Sequence, residues 1–258
     1  MKTWRSEFVH NYKDAYSFGY CLYAQAETRD ALADVYAQGY CPYSNAANVQ
    51  DVFYMCRSLR VRLAGWQMNS ENRRVYRLYD GTFTTETQPV TVLADNTALQ
   101  AMFLRYFAEV HGPEVMPRAR LLHVLKHGAA RDVTLYRNAN GQLVACVLNA
   151  GDETIDGYWF AAYVPEYYKK SLGMWLMIDG VVRAQAAGRE FIYLGTAYGE
   201  KAKYKVDFNQ LEWWAGNSWR HDAKNRAVKD LMKHDADKSV GHASRWQKKA
   251  EGFGGLTD

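Results

Sequence analysis

The sequence predicts a mixed α/β (α+β) protein: an antiparallel meander of three strands runs into a strand–helix–strand unit, and a smaller α/β domain precedes both. Two patterns carry this reading. Apolar segments around Val133–Leu135, Leu143–Leu148 and GYWFAAYVP are separated by short turn-forming stretches, which is how antiparallel hairpins are written. A helical stripe through Met174, Met177, Ile178, Val181 and Val182 then ends at Gly188, and the short apolar run FIYLG follows at once, as in a buried strand after a crossover helix. With 258 residues, 48% hydrophobic and 23% charged, the chain can enclose such a core. No apolar run reaches eighteen residues, and the opening MKTWRSEFVHNYKD mixes charge with aromatics. Neither a membrane span nor a secretory leader is therefore expected, and the location expected is cytoplasmic.

In chain order, ETRDALADVYAQGY reads as a short helix closed by Gly39, followed by a turn at Cys41 and Pro42. CRSLRVRL is a strand with Leu59, Val61 and Leu63 alternating against Arg60 and Arg62. A seam is expected between about Asp80 and Leu99, where turn and strand formers occur without an amphipathic stripe; it divides the chain into an N-terminal domain, 1–85, and a second domain, 86–258, with a basic C-terminal tail. TALQAMFLRYFAEVHG has helical spacing and stops at Gly112. Asn138-Ala139-Asn140-Gly141-Gln142 turns the first strand of the meander into the second. Ser171 is placed to cap the following helix, with Asp179 and Arg183 paired at i,i+4 on its outer face.

A net charge of +4 is mild, and alone it does not indicate nucleic acid. Its distribution is more pointed. Arg57, Arg60, Arg62, Arg73, Arg74 and Arg77 share one short window, and Arg220 to Lys249 is dense in basic residues. Such clusters are either solvated faces or contacts for a polyanion. The 19 Tyr and 8 Trp serve equally as packing or as platforms for bases. Cys21, Cys41, Cys56 and Cys146 show no CxxC spacing and the seven histidines no ligand spacing, so free thiols, no metal and no cofactor are expected.

Meander followed by βαβ is the order of the GNAT acyltransferase core. In that fold the free N–H groups and dipole of the central helix start hold the acyl donor's phosphates. Here that start is Lys170-Ser171-Leu172-Gly173-Met174-Trp175. Acetyl-CoA enzymes have a small residue in the place of Trp175, so an indole there counts against CoA. The whole run YVPEYYKKSLGMWLMIDGVVRAQAAGREFIYLG resembles the signature of the arginyl- and leucyl-tRNA–protein transferases. Pro165, Glu166, Ser171, Leu172, Gly173, Tyr193, Leu194 and Gly195 match it, followed in order by Lys201, Tyr204, Lys205, Phe208 and Glu212. The first half resembles that family more loosely, through Cys21, Cys56, Arg60, Ser70, Arg73 and Arg74; Phe18 and Met55 stand where eukaryotic members have cysteines. The resemblance spans about 16–77 loosely and 100–215 well.

The resemblance implies an enzyme that moves an amino acid, arginine or leucine, from aminoacyl-tRNA to the N-terminal amine of a protein or peptide. It implies a donor and tRNA-binding set of Lys170, Leu172, Gly173, Tyr204, Lys205, Arg60, Arg73 and Arg74, with Lys205 suited to a terminal phosphate. Glu166, Tyr168 and Ser171 form the implied catalytic set. An aminoacyl ester is already activated, so the protein must position the amine, remove a proton and stabilise an oxyanion. The alternatives are a small-molecule or biosynthetic-peptide amine as acceptor, a CoA-dependent N-acetyltransferase, and a non-catalytic RNA- or degron-binding relative.

Overall fold

Two β-sheets organise the computed structural model, which describes residues 1–11, 17–26, 28, 32–44 and 50–235. The smaller sheet is antiparallel, in the order β1 (Lys2–Asn11), β2 (Ser17–Gln25), β4 (Val52–Met55), β3 (Tyr40–Pro42). Helix α1 (Leu32–Ala37) leads into β3 and stops at Gly39, whose φ of +82° is open to glycine. A Cβ there would lie 2.2 Å from the Trp214 ring, so the bare backbone also lets the two sheets meet.

The larger sheet begins with β5 (Ser58–Arg62); helix α2 (Ser70–Tyr76), strand β6 (Thr84–Pro89) and helices α3 (Thr91–Ala94), α4 (Thr97–Val110) and α5 (Arg118–His127) follow it in the chain. Next come the meander β7 (Asp132–Arg137), β8 (Leu143–Asn149) and β9 (Ile155–Tyr163), the helix α6 (Leu172–Ala186) and the strand β10 (Phe191–Thr196). β11 (Leu211–Trp214), β12 (Trp219–Arg220) and α7 (Arg226–Asp235) complete the described chain. The eight strands lie in the order β12-β11-β5-β10-β9-β8-β7-β6, antiparallel except for β9 against β10. The expected meander and βαβ unit are present. β5 lies between β10 and β11, so the large sheet draws on residues from both sides of the expected 85/86 seam.

Three local expectations are corrected. The Ser171 side chain makes no capping hydrogen bond: the residue has φ +60° and ψ +16°, whereas a capping side chain reaches back from the β region. Asp179 and Arg183 do pair at i,i+4, with Arg183 Nε 3.8 Å from Asp179 Oδ2, but not on an outer face. Asp179 is buried and accepts from the Tyr136 hydroxyl at 2.8 Å, because α6 is covered on more than one side. Arg60 does not simply alternate outward from β5, since it is buried as well. The stretch read as a seam supplies β6, an edge strand paired along its whole length with β7. Of the basic C-terminal tail, the part beyond Asp235 lies outside the described residues.

Candidate active site

The site starts from a failure of strand pairing. β9 and β10 pair only at Phe191–Tyr193 against Ile155–Gly157, after which they diverge. A bulge between Tyr193 and Gly195 turns β10 onward along β5. The wedge left behind is a cavity of about 420 Å³. Tyr158 and Tyr163 line it from β9, Gly195 and Thr196 from β10, and Gly173 and Met177 from α6. Tyr204 and Lys205 enter from the 3-10 segment Glu200–Val206, while Cys41, Tyr54 and Tyr106 come from elements distant in sequence. No Asp or Glu occurs among the described residues of this lining.

Glycine is required at two points. A Cβ on Gly173 would stand 2.9 Å from the Tyr163 hydroxyl, so only glycine lets that phenol rest against the first turn of α6. Gly195 has φ +78°, and its missing Cβ would lie 3.6 Å from Lys205 Nζ. The lysine amine therefore sits where the two strands part. Lys205 is half-buried and lines the cavity, with its amine desolvated. Burial pulls its pKa below the ordinary lysine value, while Cys41 and Cys56 pull it back up. The Cys41 thiol donates to Ser58 Oγ at 3.1 Å. Its hydrogen bond with Cys56 lowers the Cys41 pKa against the effect of burial, whereas burial pushes Cys56 well up. Tyr204 is pushed up to about 12 by burial and by Tyr163, although the residue keeps 42% of its surface exposed. Burial likewise holds Tyr106 and Tyr158 neutral.

The structure brings together only part of the expected set. Gly173, Tyr204 and Lys205 line the cavity. Lys205 is half-buried in a 3-10 segment. Tyr168 stands behind the lining, its ring 5.8 Å from Tyr163 and 5.6 Å from Tyr106, and burial with nearby Glu109 pushes its pKa up to about 12. Leu172 is wholly buried, and Glu166, Lys170 and Ser171 are exposed on the turn ahead of α6. Arg60 is neutralised within the fold: Nε donates to Glu212 Oε2 at 2.7 Å, Nη1 to the Tyr193 hydroxyl at 3.3 Å, and the guanidinium lies 3.9 Å from the Phe191 ring centre and 4.1 Å from that of Trp219. Sequence reasoning missed Tyr106, Tyr158, Tyr54 and Arg120 in the lining. They come from separate elements, and no local pattern marks them.

Arg73 and Arg74 are exposed on α2 and Arg77 at its C-terminal cap, and the Tyr79 hydroxyl just beyond donates to Lys170 O at 2.7 Å. That tie sets the arginines near exposed Lys169 and Lys170 at the start of α6. Among the described residues the acid paired here is Glu71, which accepts from Arg74 Nη2 at 2.7 Å; Arg73 Nη1 donates to Met68 O at 2.6 Å. Trp175 does not project into the cavity. Its Nε1 donates to Tyr76 O at 3.0 Å, and its ring packs among Tyr76, Tyr79, Phe83 and Tyr136. The flank of α6 where a pyrophosphate needs a small residue is thus filled with rings, which does not fit CoA. Among the described residues no three His, Cys, Asp or Glu side chains are grouped to hold a metal ion, and no helix is long and apolar enough to cross a membrane.

A split parallel pair facing a helix start is an acyltransferase architecture, and residues 67–206, over half the chain, match the family model described as the acetyltransferase (GNAT) domain. The chain belongs to that family and is a transferase. It is 26% identical over 191 residues to the aspartate/glutamate leucyltransferase of Maricaulis maris (strain MCS10), a match spanning 70% of each chain. It is 37% identical over 83 residues to the protein of the same name from Phenylobacterium zucineum (strain HLK1), covering 31% of this chain and 32% of that one. Among solved structures, that of L-PGS from Bacillus licheniformis aligns with 12% identity and a TM-score of 0.42, over 65% of this chain and 52% of the other.

Proposed function

We propose that the protein transfers an amino acid from charged tRNA to the N-terminal amine of a protein or peptide. The observation that carries this is the tyrosine-lined cavity at the parting of β9 and β10, with Lys205 in its lining and Gly173 of the α6 first turn opening onto it; exposed basic residues stand on α2 and on the turn just ahead of Gly173. A charged tRNA has matching parts: a small ester-linked amino acid and a polyanionic stem. The amino acid enters the cavity, and Arg73, Arg74, Lys169 and Lys170 take the phosphates. Free N–H groups of the first turn of α6, at Leu172 and Gly173, face the oxyanion. The filled flank beside Trp175 supports this donor over acetyl-CoA.

Leucine is the better-supported cargo. The described cavity lining has no carboxylate, and a guanidinium desolvated there would lack a counter-ion. The relatives' names, aspartate/glutamate leucyltransferase, agree with that choice, and they suggest a protein acceptor with an acidic N-terminal residue. The test offers radiolabelled leucyl-tRNA, arginyl-tRNA and acetyl-CoA separately, with peptides beginning in Asp, Glu or Lys. Leucine incorporation is expected. Acetyl transfer from CoA with none from either tRNA overturns the proposal, and arginine incorporation in preference to leucine overturns the cargo assignment.

A further inference from the structure

We propose that Lys205 is the general base of the transfer, taking the proton that the acceptor amine sheds as it attacks. The inference rests on the aminoacyl-transfer reading and deepens it. A base is required: when the amine nitrogen bonds to the ester carbonyl carbon, it becomes positively charged and must lose a proton before the ribose oxygen can leave. The cavity lining contains no carboxylate among its described residues, so the usual acidic candidates are missing from the place where the chemistry occurs. Glu166 is exposed on the turn before α6 and does not line the cavity.

Lys205 is there. Its Nζ stands beside Gly195, at the point where β10 leaves β9, while Gly173 of the α6 first turn lines the same cavity. A carbonyl in the wedge thus has helix N–H groups on one side and the lysine on another. No carboxylate among the described residues forms a salt bridge with Lys205. The groups that face it are the thiols Cys41 of β3 and Cys56 after β4, with Tyr54, Tyr158, Tyr163, Tyr193 and Tyr204 in the surrounding wall. The two thiols draw the proton toward the lysine, but burial of the amine is the larger effect and leaves its pKa below the ordinary lysine value.

The step balances. Neutral Lys205 accepts the proton from the attacking nitrogen; the C–N bond forms and the tetrahedral oxyanion rests on the α6 N–H groups. As the C–O bond to the ribose breaks, the Lys205 ammonium returns the proton to the departing oxygen. A phosphate-binding lysine needs only its charge, so Lys205→Arg separates the two roles.

Two measurements test this. Competitive labelling of the intact protein with acetic anhydride across pH, read by mass spectrometry, gives the titration midpoint of Lys205 without reference to activity. A midpoint below the 10.5 of an ordinary lysine is expected; one at or above it overturns the proposal. In single-turnover transfer from leucyl-tRNA to a peptide beginning in Asp, the wild-type rate is expected to rise with pH through that same midpoint. Lys205→Arg is expected to lower the rate about 100-fold or more while charged tRNA still binds. Lys205→Met, which removes the charge as well, is expected to match that loss in rate. An arginine variant within about tenfold of wild type overturns the assignment. A wild-type protein that transfers from no charged tRNA fails the function proposed above, and the labelling midpoint still reports on Lys205 separately.

Discussion

Ser171 shows how one backbone angle redirects a familiar side chain. At φ +60° its hydroxyl caps nothing, so the residue supplies a turn in the chain, with its carbonyl accepting from Trp175 N–H at 3.0 Å. Ser171→Ala is expected to change stability by less than about 0.5 kcal/mol, against about 1 kcal/mol for removal of a working cap. Ser171→Gly is expected to stabilise by up to about 1 kcal/mol, because glycine occupies this region without strain. Urea unfolding of the three proteins measures both; an alanine variant weaker by about a full kcal/mol would mean that the hydroxyl caps after all. Ser171 looked like an ordinary cap in sequence because residue type does not record φ. Arg60 misled for a related reason. Its place on β5 was legible from Leu59 and Val61, but Glu212, Phe191 and Trp219, which neutralise and sandwich it, arrive from the far end of the chain.

Among the elements, β9 carries a latent pH dependence. Burial, with Asp132 adding to it, pushes the Asp156 carboxyl up to about 6, while the Gly157 N–H, Arg189 and Arg183 draw it down. The folded protein therefore binds this proton more tightly than the unfolded chain does. The resulting stability is complete below about pH 4 and is lost as pH rises through about 6. Asp132 shifts in the same direction. Asp156→Asn is expected to be more stable than wild type at about pH 8 by about 1–3 kcal/mol, with the difference shrinking toward about pH 4; thermal melts across that range test it, and a difference independent of pH would refute it. Helix α2 carries a prediction of another kind. Replacing Arg73 and Arg74 together with Ala is expected to weaken charged-tRNA binding and to flatten the plot of log affinity against log salt by about one for each phosphate that is no longer held. An unchanged slope returns both residues to the solvated surface. The meander, α6 and β10 were legible because period-two and period-3.6 apolar patterns report which face is covered. The short strands β3, β11 and β12 were not, since segments of two to four residues hold no period.

For the molecule as a whole, the two halves of the sequence share one sheet. Leu59 and Val61 are completely buried between β10 and β11, and Arg57 reaches Asp235 at the end of α7 at 2.7 Å. Residues 86–258 expressed alone are expected to be insoluble or unfolded, because removing β5 leaves two strand edges and an apolar slot open. Adding 1–85 as a separate chain during refolding is expected to restore soluble protein in part. A soluble, cooperatively melting 86–258 fragment would show that the slot closes without β5.

The central position of β5 also sets a timetable for synthesis. A ribosome releases Ser58–Arg62 early, yet both strands that flank it, Phe191–Thr196 and Leu211–Trp214, emerge only after most of the remaining chain. Until then the nascent protein carries an unmatched apolar strand that no local contact can shield, and non-local pairing of this kind closes slowly. Rapid translation without chaperones is therefore expected to lower the soluble yield, and heat applied during synthesis to cost more of it than the same heat after the last strand has docked.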